Sequence, residues 1–127
     1  MTGRLVECVP NFSEGKDRVI IDSILEPIIT TEGVTLLDVD MGADFNRTVV
    51  TMVGEPESVL RAVIECTTIA VDLIDMRNHS GEHARMGAVD VVPFIPIRGV
   101  SMTDCVELSH RYAKSVSQAL SLPVYMY

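Results

Sequence analysis

The sequence predicts an α+β fold, and three observations support that class. Short β-branched stretches alternate with longer segments whose apolar residues recur at the helical period; clusters of Gly, Pro, Asn and Asp separate them; and no linker, repeat or low-complexity tract divides the chain.

Leu5 to Val9 is short, apolar and β-favouring and predicts a first strand, closed by Pro10 and Asn11 read as a turn. Ser13, Glu14, Gly15 and Lys16 lead into a first helix, whose apolar positions Val19, Ile20, Ile24, Leu25 and Ile28 keep the 3.6-residue period until Thr30, Thr31 and Gly33 end it. Val34 to Val39 and Thr48 to Val53 are rich in β-branched residues and predict two antiparallel strands, joined by a turn over Met41 to Asn46. Glu55, Pro56 and Glu57 suit a helix start, with acids at the positive end of the dipole and proline in the first turn. That second helix carries one apolar stripe to Ile74. Val89 to Ile97 predicts a strand that Pro93 and Pro96 confine to an edge or a distorted end. Ser101 to Asp104 caps a last helix running to about Leu120, and Pro123 to Tyr127 predicts a closing strand. The order is βαββαβ followed by αβ, a ferredoxin-like arrangement with a mixed, mainly antiparallel sheet and helices on one face.

At 127 residues and 47% hydrophobic content, residues 1–127 form a single domain able to bury a core. A formal charge of −8 repels phosphate backbones, so no nucleic-acid partner is expected. There is no basic-plus-apolar N-terminal signal and no apolar run of the roughly 20 residues a membrane span needs, so a cytoplasmic protein without membrane contact is expected. Cys8, Cys66 and Cys105 are odd in number and far apart, which suits buried hydrophobes in a reducing compartment.

The segment from Asp75 to Ile97, DMRNHSGEHARMGAVDVVPFIPI, carries most of the chemistry: two histidines, a glutamate and two arginines on a glycine-interrupted turn ahead of a strand. His79 to His83 spells H-x-x-E-H, an inverted zinc-peptidase pattern. Zinc would need a regular helix, which Gly81, Asn78 and Ser80 disfavour, so no metal is expected. His79 suits a helix C-terminus as well as a binding site. His83 has Glu82 to fix its tautomer and Arg85 to hold an anion, the parts of an acid–base site. Asp38 and Asp40, near a strand end, are expected to point to opposite faces, so that only one of them faces the motif loop. Arg47 could present its fork to a carboxylate while Asn46 holds the turn. The backbone N–H groups of Asn11 to Gly15 suit either an anionic group or a helix cap.

Four of these stretches, VECVPNFSEGKD from Val6, LLDVD from Leu36, NRTV from Asn46 and IDMRNHSGEHARMGAVDVVPFIPIRGVSM from Ile74, closely resemble the N-terminal subdomain of the formiminotransferase family. The resemblance runs along nearly the whole chain, to PVYMY at its end. It implies transfer of the formimino group from N-formimino-L-glutamate to the co-substrate tetrahydrofolate, a step of histidine degradation and one-carbon metabolism, with small molecules as partners. It further implies that His83, in GEH-x-RMGA, is the catalytic histidine, and that Asp40, in LLDVD, lies beside the reacting centre. Arg47, Arg85, Asn11, Glu82 and His79 are then the expected substrate- and folate-binding residues.

The chain departs from the family pattern in two ways. Ala84 stands where the motif usually has proline, which leaves the loop after His83 less rigid. In the family, two similar subdomains enclose a folate cleft, whereas this chain stops at Tyr127. The missing half is expected from a homo-oligomer or from a C-terminal subdomain. The alternative is a non-catalytic folate-binding or interaction module.

Overall fold

A computed structural model describes residues 3–74 and 88–120. The strand expected over Pro123 to Tyr127 lies outside them. Among the described residues the elements run β1 (Leu5–Cys8), β2 (Asn11–Phe12), α1 (Arg18–Thr30), β3 (Val34–Gly42), a 3-10 turn (Ala43–Phe45), β4 (Arg47–Gly54), α2 (Pro56–Leu73), β5 (Phe94–Arg98) and α3 (Met102–Leu120).

Each helix starts where local chemistry favours it. The Asp17 side chain accepts from the N–H groups of Val19 and Ile20 at the head of α1. Pro56 opens α2, with Glu57 in its first turn. Ser101 and Asp104 form a reciprocal box at the head of α3: the Ser101 N–H donates to the Asp104 carboxylate and the Asp104 N–H to the Ser101 Oγ, both at 3.0 Å.

The strands form one five-stranded sheet in which every described pairing is antiparallel. The expected mixed sheet, mainly antiparallel, is therefore wholly antiparallel over these residues. Its order is β3, β4, β1, β5, so the two βαβ halves interleave as in a ferredoxin-like fold. β1 and β2 lie end to end along β4, with Cys8 opposite Met52 and Asn11 opposite Val49. This corrects the reading of Asn11 as the close of a turn. Pro10 has no N–H to donate, but its carbonyl still accepts from the Val50 N–H, and the ladder resumes one residue later. The expected strand from Val89 begins only at Phe94. Val89 keeps one isolated bridge to Phe12, and β5 lies at the sheet edge that its prolines predicted.

Each edge strand carries one surplus residue. In β3, Leu36 pairs Met52 while Asp38 pairs Thr51, so Leu37 is extra; in β5, Pro96 pairs Val6 while Arg98 pairs Leu5, so Ile97 is extra. The β3 bulge switches which residues face inward. Ahead of it Val34 and Leu36 pack on the core, and beyond it Val39 and Met41 do.

All three helices contribute to one buried cluster on a single face of the sheet. Val6, Cys8, Phe12, Val50 and Met52 form the strand side of it, each at 0% exposure. Complete burial of such side chains contributes about 1.5–3 kcal/mol apiece. No helix among the described residues is long and apolar enough to cross a membrane.

Candidate functional site on the open sheet face

Alternation along β4 sends Thr48, Val50 and Met52 into the core and Arg47, Val49, Thr51 and Val53 to the other face. The same rule orients the neighbouring strands. Asp40 and Asn11 both pair with Val49, from opposite sides, so the three residues form one cross-strand row on the face away from the helices. At normal strand spacing, Asp40 and Asn11 then lie roughly 10 Å apart. Arg47 is two residues from Val49 and shares that face, and its guanidinium pairs with the Asp90 carboxylate at 3.3 Å. Three of the expected site residues are thus gathered at one end of the open face. His79, Glu82, His83 and Arg85 lie outside the described residues.

Asp38 also lies on this face. The expectation that Asp38 and Asp40 point to opposite faces fails, because residues two apart in a strand share a side and both are exposed. Their pairing partners Thr51 and Val49 are likewise outward-facing.

Three backbone hydrogen bonds join the segment that follows the motif to the strand that carries Asn11. The Ser13 N–H donates to the Ala88 carbonyl and the Asn11 N–H to the Val91 carbonyl, both at 3.0 Å, and the Asp90 N–H donates to the Asn11 carbonyl at 2.8 Å. The chain therefore leaves the motif at the end of the sheet where Asp40, Asn11 and Arg47 stand. Asp90 was not predicted as a site residue. Its signal was weak, a lone acid two residues after the GA of the motif.

The N–H groups of Ser13, Gly15, Lys16 and Asp17, between β2 and α1, are already occupied. The Glu14 carboxylate, only 9% exposed, accepts from the N–H groups of Lys16 and Asp17, while the Gly15 N–H donates to the Asn46 Oδ1 at 2.9 Å. The chain caps itself here, and of the two readings offered for this turn the structure supports the cap. Gly15 is required for close approach: a Cβ there would lie 2.6 Å from the Arg47 nitrogen and 2.7 Å from the Gly42 carbonyl oxygen.

The cysteines are free and buried, as expected. Burial pushes the Cys66 thiol up to about 12 and raises that of Cys8 as well, so neither supplies a thiolate at neutral pH. Among the described residues no three His, Cys, Asp or Glu side chains gather as a metal-binding group.

A family model described as "Formiminotransferase domain, N-terminal subdomain" matches residues 5–127. The chain is 52% identical over 124 residues to the formimidoyltransferase-cyclodeaminases of Dictyostelium discoideum and Rattus norvegicus, covering 98% of itself and 23% of each of them. It is 42% identical over 124 residues to the glutamate formimidoyltransferase of Streptococcus pyogenes serotype M1, covering 42% of that protein. The chain therefore spans less than half the length of these curated relatives.

Proposed function

Since this chain belongs to the formiminotransferase family, as its N-terminal subdomain, we propose that it supplies one half of a site that moves the formimino group from N-formimino-L-glutamate to tetrahydrofolate. In this reading N5 of tetrahydrofolate attacks the formimino carbon and forms the new C–N bond. The tetrahedral adduct then breaks its bond to the glutamate nitrogen. His83 takes the N5 proton and returns a proton to the departing nitrogen, a pair of transfers that suits a group titrating near neutrality. Asp40 steadies the cationic formimino nitrogen, and Arg47 and Arg85 bind substrate carboxylates through two-pronged hydrogen bonds. Asn11, Glu82 and His79 complete the lining, and no metal takes part.

The observation that supports this most is the row Asp40–Val49–Asn11, with Arg47 beside it, on the face the helices leave open. The test is transfer to tetrahydrofolate by the 127-residue chain, followed by mass spectrometry of the folate product, against His83→Ala and Asp40→Asn. Product from the unsubstituted chain and loss in both variants is the expected result. Equal rates in all three would refute the assignment.

The coverage of 23% and 42% of the relatives favours keeping a second reading, in which the chain alone binds folate or a partner without catalysing transfer. Tetrahydrofolate binding that survives His83→Ala, with no transfer by either protein, would establish that reading.

A further inference from the structure

The turn between β3 and β4 and the loop between β2 and α1 are tied together by two hydrogen bonds and a close backbone approach. Asn46 adopts the left-handed conformation, with φ 49 and ψ 50, which few residues other than Gly, Asn and Asp tolerate. From there its side-chain oxygen takes the Gly15 N–H. The absence of a Cβ on Gly15 lets the loop backbone settle against the Arg47 backbone nitrogen and the Gly42 carbonyl. One residue further on, the Thr48 hydroxyl donates to the Glu14 carbonyl in the core. Arg47 sits between these two ties, and its guanidinium leaves the clamp to meet Asp90.

We propose that Asn46 is a positioning residue: by holding the Gly15 N–H it fixes the loop on the turn and so sets where the Arg47 guanidinium stands relative to Asp90 and Asp40. The inference rests on the reading of Arg47 as a carboxylate-binding residue. A fork that must meet a carboxylate with two hydrogen bonds tolerates little displacement, and a shift on the order of 1 Å can cost up to about a hundredfold. Asn46 touches no substrate in this account; it acts through Arg47.

The test uses the 127-residue chain, with calorimetric titration of N-formimino-L-glutamate and thermal unfolding of the same samples. Asn46→Gly keeps the left-handed backbone and removes the acceptor; Asn46→Asp keeps both. Asn46→Gly should weaken binding about tenfold at temperatures where the thermal scan shows the fold intact. Asn46→Asp should return to within about twofold of the unsubstituted chain. Thr48→Val, which cuts the second tie at constant volume, serves if Asn46→Gly does not fold and should show a smaller loss of the same kind. Unchanged affinity in Asn46→Gly or in Thr48→Val, whatever happens to the melting temperature, would reduce the clamp to a structural fastening and overturn the inference alone. Equal losses in Asn46→Gly and Asn46→Asp would overturn it too. No binding by the unsubstituted chain would overturn the proposed function, and the inference with it.

Discussion

The two faces of this sheet are built from the same strands, often from adjacent residues, yet they carry different burdens. On the helix side Val6, Cys8, Phe12, Val50 and Met52 are sealed from solvent. On the open side Asn11, Asp40 and Arg47 lie in or beside a single row, and Leu37 remains 55% exposed. Asn11 and Phe12 are neighbours in sequence and belong to opposite faces. A period of two is enough to separate the residues that hold the fold from those proposed for chemistry, so substitutions one residue apart should fail in different ways.

The largest effect is expected from Phe12→Ala, which leaves a cavity in the buried core and should cost about 3–5 kcal/mol in chemical denaturation. A cost below about 1 kcal/mol would mean that the helix side is not the seat of stability. Next comes Asp40→Asn: transfer should slow by at least about a hundredfold, while the free energy of unfolding changes by no more than about 0.5 kcal/mol. Coupled loss of both would erase the division between the faces. Deletion of Leu37 sharpens the comparison, because it would restore one-to-one pairing between β3 and β4 without turning Asp40 inward. The expected cost is on the order of 1 kcal/mol, read from the same denaturation curve.

The smallest effect concerns the outer surface of the helix layer. Arg111 on α3 grips Glu57 at the start of α2 through two hydrogen bonds, and that guanidinium holds the Glu57 carboxyl below its ordinary value of 4.5. A carboxyl depressed by folding stabilises the native state above its unfolded pKa. That contribution disappears as pH falls through the lower folded value. Glu57→Gln should therefore cost only about 0.2–1 kcal/mol at neutral pH, as an exposed pair does. It should also flatten the fall in stability below pH 4.5, measured by thermal unfolding across the acid range.

Most of the fold was legible because its signals are local. Apolar periods located α1, α2 and α3, β-branched runs located β3 and β4, and Pro93 and Pro96, before and within β5, announced an edge. β2 was hidden because Pro10 and Asn11 have turn chemistry, and only pairing with β4 overrides it. The bulge in β3 was written as two successive leucines, Leu36 and Leu37, but a slip of one residue leaves composition unchanged and shows itself only against a partner strand. Asp40, Arg47 and Asn11 could be named from residue type and family likeness. That they stand in or beside one row depends on register, which no local pattern contains. The clamp of Asn46 on Gly15 spans 31 residues and rests on a backbone contact, so it was out of reach for the same reason.

The surplus residues in β3 and β5 bear on how copies of this molecule can meet. A straight neighbour laid along either margin would find its amides in phase with part of the strand and out of phase with the remainder. Fibre-like growth by strand addition is therefore discouraged at both described flanks.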